Sequence, residues 1–263
     1  MTTGDALVRR PGPRLADGLV THIERSPVDA EAALEQWHGY VSALERCGWT
    51  THEVPPADDF PDAVFVEDTM VVYRDLAIMT RPGAPQRRGE VAAAEAAVQT
   101  RGYRTARIDE PGTLDGGDVL KVADTVYVGR GGRTNSEGLD QLRVLLEPLG
   151  ATVKGVPLSK VLHLKSAVTA LPDGTVIGYP PVVDDPAVFG EFLPVPEEAG
   201  SHVVLLGEGR LLMSASAPRT AELLTRKGYS PVVVEIGEFE KLEGCVTCLS
   251  VRLRHQDRAA PQR

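Results

Sequence analysis

Side chains of the types that perform nucleophilic and acid–base catalysis interrupt four apolar stretches of this sequence. The stretches read VFVEDTMVV, TLDGGDVL, VLHLKSAV and GCVTCLSV, and the residues within them are Glu67, Asp68, Asp115, His163 and Cys248. Charged groups are rarely buried without a partner or a function. A thiol, an imidazole and carboxylates in one place would supply a nucleophile, a proton carrier and negative charge.

The spacing of these residues indicates equivalent places in a repeat. Glu67, Asp115 and His163 follow one another at intervals of 48 residues, and Cys248 comes 85 residues later, roughly two shortened periods. Taken singly, a histidine or a cysteine in an apolar stretch is more often a core residue. Because equivalent positions in a ring of repeats converge on its axis, the sequence predicts that the set meets in one central cleft.

The elements around these positions repeat as helix, glycine and strand. The predicted helices, each with the strand that follows it, are 29–47 with 49–54, 88–101 with 103–108, 135–149 with 151–156, 186–199 with 203–206, and 218–227 with 231–236. Pairs of short apolar runs lie between them, and residues 6–9 complete the last pair. Five ββαβ units would bury their faces by closing into a ring. An open doubly wound sheet is the alternative that counting elements leaves open.

The amino-acid composition argues against some classes of function. The 263 residues carry a formal net charge of −9 and only 5% aromatic residues, which argues against nucleic-acid binding. Neither a signal-peptide core at the N-terminus nor an apolar run long enough to span a bilayer is present in the sequence, and three cysteines give no disulfide framework. We therefore predict a cytoplasmic protein without a membrane partner, with one domain over residues 1–255 and a flexible tail over 256–263.

The pair Cys245 and Cys248 also invites a zinc or a redox interpretation. A structural zinc site needs two further ligands, and only Cys47 and scattered histidines remain. A thioredoxin-like pair should open a helix, whereas Cys248 lies in the strand-like run TCLSVRL. Both interpretations are disfavoured. The glycines of LDGGD, at 114–118, lack the spacing of a phosphate loop and predict a tight backbone bend instead.

Several ordered motifs resemble one enzyme family, the dimethylarginine dimethylaminohydrolases. They are FVED (65–68), MTRPGA (79–84), RRGE (87–90), LDGGD (114–118), GRGGRTN (129–135), LHLKS (162–166) and TCLS (247–250). The resemblance spans nearly the whole chain. It implies an α/β fold of the pentein superfamily, a five-bladed α/β propeller of ββαβ units with pseudo-fivefold symmetry, in agreement with the repeat.

The resemblance also implies a role for each catalytic residue. Cys248 matches the nucleophile, His163 the general acid and base, and Asp115 the acidic residue that orients the histidine. Cys245 departs from the family pattern, in which a small or apolar residue is expected, and whether its thiol is reactive stays open.

The substrate-binding residues follow from the same motifs. Asp68 with Glu67 matches the clamp on the guanidinium, and Asp62 matches another acid that contacts the substrate. Arg87 and Arg133 match the residues that grip the substrate carboxylate. Main-chain groups of Leu19 and Leu242 match those that bind the α-amino group.

The implied activity is hydrolysis of methylated arginines to citrulline and dimethylamine or methylamine. A guanidinium is poorly electrophilic, so the reaction needs a strong nucleophile and counter-charges for the cation, but no metal or organic cofactor. Arginine deimination and amidine transfer are sister reactions, and 263 residues leave no room for the extra helical domain of arginine deiminases. A silent binder of cationic amino acids would need neither His163 nor Cys248. The partner is a small molecule, and a homodimer is compatible with the sequence.

Overall fold

A ring of small sheets forms the architecture of the protein. The computed structural model describes residues 4–254, and the predicted tail over 256–263 lies outside the described residues. Within that range the strands form five three-stranded sheets, or blades. This arrangement confirms the predicted five-bladed α/β propeller. None of the described helices has the length and apolar character needed to cross a bilayer.

Each blade has an inner, a middle and an outer strand. Blade 1 contains β15 (Val251–Arg254), β1 (Gly4–Val8) and β2 (Trp49–Glu53), and blade 2 contains β3 (Met70–Tyr73), β4 (Leu76–Met79) and β5 (Arg104–Arg107). Blade 3 contains β6 (Val119–Val122), β7 (Thr125–Arg130) and β8 (Thr152–Pro157). Blade 4 contains β9 (Val168–Ala170), β10 (Val176–Gly178) and β11 (Phe192–Pro194), and blade 5 contains β12 (Val204–Gly207), β13 (Arg210–Ser214) and β14 (Ser230–Val234). The middle strand is antiparallel to the inner strand and parallel to the outer one.

The two ends of the described chain close the ring. In blade 1 the C-terminal strand β15 pairs antiparallel with the N-terminal strand β1, so that Gly4 faces Arg254 and Leu7 faces Val251. The five inner strands line a central cavity of about 350 Å³. Closure therefore brings blades that are distant in sequence onto one axis, as the repeat predicted.

Four of the five predicted helix, glycine and strand units are confirmed. The helices are α1 (Ala30–Arg46), α2 (Val91–Gln99), α3 (Ser136–Leu146) and α5 (Pro218–Arg226). The side chain of Asp29 caps α1 by accepting bonds from the backbone of Glu31 and Ala32. Just past these helices come Gly48, Gly102, Gly150 and Gly228, all with positive φ, a backbone conformation that glycine adopts without a steric penalty. The short helices α4 (Leu164–Ala167) and α6 (Gly237–Glu240) complete the described helices.

The predicted helix at 186–199 is wrong. Blade 4 connects its strands through single 3-10 turns, and Phe192–Pro194 within the predicted helix is the outer strand β11. Pro194 and Pro196 explain this difference, since proline within a helix removes a hydrogen bond and clashes with the preceding turn. The run 203–206 accordingly belongs to β12, the inner strand of blade 5.

The polar residues in apolar stretches lie just before the inner strands rather than within them. Glu67 and Asp68 belong to the 3-10 turn Val66–Thr69, Asp115 precedes the 3-10 turn Gly116–Asp118, and His163 caps α4. Cys248 lies in the turn before β15. Turns lack the fixed alternation of a strand, so neighbouring residues there can be directed to different cavities.

Helix α1 supports the cysteine turn directly. The buried hydroxyl of Tyr40 donates to the carbonyl of Val246 at 2.9 Å and lies 2.7 Å from Oγ of Ser250. These two contacts flank Cys248 in sequence and hold its turn against the helix.

We expect Tyr40→Phe to lower the free energy of unfolding by about 1–3 kcal/mol, because the carbonyl of Val246 loses its hydroxyl donor in a buried site, whereas Ser250 keeps its bond from Arg252. Urea unfolding followed by circular dichroism measures the change. The matched control is Tyr229→Phe, which removes a hydrogen bond to Asp173 on a far more exposed side chain where water can substitute. Equal losses in the two variants would contradict a structural role for the Tyr40 hydroxyl.

Candidate active site

A second, small cavity of about 20 Å³ brings most of the predicted site residues together. Eight of the predicted site residues line this cavity: Leu19, Asp62, Asp68, Arg87, Arg133, His163, Leu242 and Cys248. Phe65, Leu162, Glu243 and Gly244 complete its wall. Asp115 stands behind His163, and Glu67 is not part of this wall. The predicted side chains therefore meet in one place, as their spacing predicted, except that Glu67 lies outside this cavity.

His163 is held between two carboxylates. Its Nε2 lies 2.9 Å from Oδ2 of Asp115, and its Nδ1 lies 3.8 Å from Oδ1 of Asp68. Burial lowers the pKa of His163, but Asp68, Asp115 and Asp118 outweigh that effect and raise the pKa to about 9. The imidazole is therefore protonated at neutral pH in the empty cavity.

Asp115 is fixed by the backbone around it. It is fully buried, and its Oδ1 accepts a hydrogen bond from the backbone nitrogen of Gly83 at 2.8 Å. Its Oδ2, which bonds His163, also lies 3.6 Å from Nη1 of Arg133. An acid with both oxygens engaged in this way can orient the histidine ring.

Asp68 is a buried anion in a closely packed setting. Its Oδ2 accepts from Nη1 of Arg87 at 2.6 Å, and its Oδ1 accepts from the backbone of Gly117 at 2.8 Å. Burial raises the pKa of Asp68, but His163 and Arg87 outweigh burial and hold that pKa well below its usual range. Asp68 is therefore ionised and available to a cation that enters the cavity.

The glycines of LDGGD lie in the predicted bend, the 3-10 turn Gly116–Asp118, which the backbone nitrogen of Asp118 closes by donating to the carbonyl of Asp115 at 3.1 Å. Neither glycine has a positive φ. A Cβ on Gly117 would lie 2.6 Å from Nδ1 of His163, and a Cβ on Gly116 would lie 2.0 Å from the carbonyl oxygen of Glu67. The bend is therefore confirmed, and close approach is the reason that it contains glycine.

The two predicted arginines differ in their partners. Arg87 has most of its donors engaged, because it bonds Asp68, both carboxylate oxygens of Glu90, and the carbonyls of Asp62 and Phe65. For Nη1 of the buried Arg133, by contrast, the described residues provide no hydrogen-bond acceptor. Arg133 is therefore the cation of this cavity that retains capacity for an anion.

Asp62 and Glu243 hold the segment of residues 19–22 beside the cavity. Asp62 accepts from the backbone of Leu19 at 3.0 Å, and Glu243 accepts from the backbone of Thr21 at 2.8 Å and of His22 at 2.6 Å. Burial raises the pKa of Asp62 in spite of Arg87 and this backbone bond. The two carboxylates, which both line the cavity, thereby hold residues 19–22 beside it.

Cys248 presents its thiol beside a second thiol. The Sγ atoms of Cys245 and Cys248 are 3.4 Å apart, and the backbone of Glu67 donates to the carbonyl of Cys248 at 3.1 Å. The hydrogen bond to Cys245, burial and nearby negative charge raise the pKa of Cys248 well above its ordinary value. The side chain of Cys248 is therefore a neutral thiol at neutral pH.

Glu67 faces the central cavity. Its Oε1 accepts from Nζ of Lys165 at 2.6 Å and from Nη2 of Arg252 at 3.3 Å. All three side chains line the cavity enclosed by the inner strands. The FVED pair is thus divided, with Asp68 on the side of Cys248 and the Glu67 carboxylate on the other side.

Three supporting acids were missed by the sequence reasoning. Glu90 forms an ion pair with Arg87, and Glu243 accepts a hydrogen bond from the backbone of His22. Asp118 accepts from the backbone of Leu164 at 3.0 Å and from the hydroxyl of Thr134 at 2.6 Å. Burial raises the pKa of Asp118 to about 7, against the effect of His163. The motifs LDGGD and RRGE already contained Asp118 and Glu90, whereas Glu243 stands in a polar stretch without a signal.

Ligand atoms of Asp68, Asp115 and His163 lie within 4.8 Å of one another, a separation that a metal ion could bridge. Arg87 and Arg133 already place their positive charges on these two carboxylates. A metal ion would have to compete with those guanidinium groups, so the cluster fits an organic cation held by Asp68 better than a metal.

The arrangement has two chemically different ends. A thiol, a protonated imidazole and the Asp68 carboxylate suit nucleophilic attack on a bound cation, with a proton donor for the leaving group. Arg133 suits an anionic group on the same molecule. The cavity therefore fits a molecule that carries a cation at one end and a carboxylate at the other.

Comparisons with known proteins agree with this geometry. No family model matches the chain. The N(G),N(G)-dimethylarginine dimethylaminohydrolase of Streptomyces coelicolor is 67% identical over 254 residues, which cover 97% of this chain and 98% of that protein. A cysteine-to-serine mutant of the Pseudomonas aeruginosa enzyme, solved with citrulline, is 36% identical with a TM-score of 0.89, covering 96% and 100% of the two chains. A dimethylarginine dimethylaminohydrolase adduct with S-methyl-L-thiocitrulline gives the same identity, TM-score and coverage.

We expect Asp115→Asn and Asp68→Asn each to lower the pKa of His163 from about 9 towards the ordinary value of about 6.5, because each removes an anion that stabilises the imidazolium. An NMR titration of the histidine ring protons, assigned with His163→Gln, measures it. Asp75→Asn is the control, since Asp75 pairs with Arg104 on the surface. If the pKa of His163 stayed unchanged in both site variants, the carboxylates would not control its protonation.

Proposed function

The chain belongs to the dimethylarginine dimethylaminohydrolase family, and from that premise we propose how its own residues act. The enzyme hydrolyses asymmetric dimethylarginine and monomethylarginine to citrulline and dimethylamine or methylamine. The reaction proceeds through an amidino-cysteine intermediate on Cys248. The observation that carries this assignment is the meeting of the Cys248 thiol, the His163–Asp115 pair and the ionised Asp68 in one closed cavity.

Substrate binding supplies the charge that the empty cavity lacks. The guanidinium donates N–H bonds to Asp68, which stays ionised beside Arg87. A cation next to Cys248 favours the thiolate, and so does protonated His163. Because the resting pKa of Cys248 is raised, the thiol gives its proton to solvent and becomes a thiolate when the substrate is in place rather than before. The substrate therefore takes part in activating its own nucleophile.

The chemical steps use one histidine twice. The thiolate of Cys248 attacks the guanidinium carbon and forms a tetrahedral adduct. The adduct collapses as His163 gives its proton to the methylated nitrogen, and the amine leaves with the amidino group still on sulfur. Neutral His163 then takes a proton from water, whose oxygen attacks the same carbon, and the second collapse releases citrulline and the thiol. Asp115 keeps the ring oriented through both proton transfers.

Recognition of the amino-acid end falls to the other side of the cavity. Arg133 binds the α-carboxylate, since its Nη1 lacks an acceptor among the described residues. Main-chain groups of Leu19 and Leu242 bind the α-amino group, and Asp62 holds Leu19 in place. Arg87 acts mainly as a positioning residue for Asp68, because Glu90 and two carbonyls already fill most of its donors.

The proposal also covers the cofactor requirement, the cellular location, the domain organisation and the oligomeric state. The chemistry needs only these side chains and water, so no cofactor is required. Cys47, Cys245 and Cys248 are all free thiols, which suits a reducing cytoplasmic location. A single domain over residues 1–255 and a homodimer stay predictions, and sedimentation of the full chain measures the oligomeric state.

Incubation with asymmetric dimethylarginine, monomethylarginine and arginine tests the activity. We expect citrulline with dimethylamine or methylamine from the methylated forms and poor turnover of arginine. Cys248→Ser should abolish turnover while calorimetry still detects substrate binding, because other residues hold the ligand. Arginine outcompeting the methylated substrates would favour deimination, and an inactive Cys245→Ser beside an active Cys248→Ser would reassign the nucleophile.

The role of Arg133 in carboxylate recognition has its own test. We expect Arg133→Ala to cost about 2–4 kcal/mol in kcat/KM on dimethylarginine, as for loss of one partner from a desolvated charge pair. A methylated agmatine, which lacks the carboxylate, should be a poor substrate that the variant handles little worse than the wild type. Arg143→Ala, at a surface ion pair with Asp140, is the control. An equal loss on both compounds would make Arg133 a structural residue.

A further inference from the structure

The second thiol at the nucleophile has no part in the hydrolytic steps. Cys245 and Cys248 are both buried, and their Sγ atoms lie 3.4 Å apart. They occupy the two ends of a single turn, in which the backbone nitrogen of Cys248 donates to the carbonyl of Cys245 at 3.0 Å. A turn of this kind brings its end Cα atoms within about 7 Å, close to the span that a disulfide bridges.

The two thiols also share their protonation. The hydrogen bond from Cys248 lowers the pKa of Cys245 well below its ordinary value in spite of burial, and the same bond raises the pKa of Cys248. Oγ1 of Thr247 lies 3.3 Å from Sγ of Cys245 and adds to this effect. The lowered pKa of Cys245 favours its thiolate, which is the form that reacts with oxidants.

We propose that Cys245 and Cys248 are a site of reversible disulfide formation by peroxides. Joining the sulfurs requires an approach from 3.4 Å to about 2.05 Å, which small rotations of two side chains on one turn can supply. Because Cys248 lines the active-site cavity, a small peroxide reaches the pair by the path that the substrate uses. The consequence for activity rests on the proposed role of Cys248, since the disulfide occupies the nucleophile.

The oxidation balances with hydrogen peroxide as the oxidant. The thiolate attacks one peroxide oxygen, breaks the O–O bond and releases hydroxide, which leaves a sulfenic acid on that sulfur. The neighbouring thiol attacks the sulfenic sulfur, and water leaves as the S–S bond forms. In total two thiols lose two hydrogens, and one peroxide becomes two waters. A dithiol such as dithiothreitol reverses the change by thiol–disulfide exchange.

Cys245 thereby protects the nucleophile from over-oxidation. A lone sulfenic acid at Cys248 would proceed with more peroxide to sulfinic and sulfonic acids, which dithiothreitol does not reduce. A partner thiol at contact distance captures the sulfenic acid first. Cys47 is the residue after the last turn of helix α1, and it lies seven residues after Tyr40, about 10 Å along the helix axis. It provides a matched control thiol.

The test treats the full-length protein with hydrogen peroxide and follows three quantities: thiols titrated in denaturant, intact mass, and turnover before and after dithiothreitol. We expect the wild type to fall from three thiols to one, to lose the mass of two hydrogens, and to regain its activity on reduction. Cys47→Ser should behave likewise, falling from two thiols to none. Cys245→Ser should gain oxygen atoms instead, and its lost activity should not return with dithiothreitol.

The outcomes separate this inference from the proposed function. Peptide mapping of oxidised wild type that finds Cys248 carrying oxygen with Cys245 still free would overturn the disulfide, and so would full recovery of oxidised Cys245→Ser. If Cys245→Ser does not fold, Cys245→Ala replaces it, and the mapping of wild type decides alone. The thiol count and the intact mass are measured without any enzyme turnover. If the disulfide formed in a protein that did not hydrolyse methylated arginines, the proposed function would be refuted and the disulfide would stand.

Discussion

Compensation of buried charge holds the active site together. Asp68, Arg87 and Glu90 form a continuous run of ion pairs that is almost wholly excluded from water, and His163 joins it through Asp68 and Asp115. Each of these charges would be strongly unfavourable alone, since an unpaired buried ion loses its hydration without return. The network is therefore stable only as a whole, and its members fix one another's positions and protonation states.

This network presents an ionised carboxylate, Asp68, to a cationic ligand. Asp68 is ionised and already neutralised on one side by Arg87, while the Cys248 thiol stays protonated as long as negative charge dominates around it. A guanidinium adds positive charge where the thiolate must form. Binding and activation are thus the same electrostatic event, and a neutral ligand would occupy the cavity without generating the nucleophile.

The ring of blades is what makes such a network possible. Asp68, Asp115, His163 and Cys248 come from turns that precede four different inner strands, and the pairing of β15 with β1 draws the last of them to the others. Close contact between these turns demands glycine where backbone meets side chain, as at Gly117 beside His163. The fold therefore supplies rigid positions from distant parts of the sequence.

The sequence by itself determined the repeat and most helix and strand positions, because periodicity and glycine stops encode local structure. The spacing of its polar residues also predicted that Cys248 and His163 meet in one cavity. It did not reveal that prolines turn the fourth unit into strand β11, or that Glu67 faces Lys165 while Asp68 faces the cysteine. Glu243 carried no local signal either. Only tertiary packing decided these points, since the direction of a side chain in a turn depends on the neighbours that satisfy its charge.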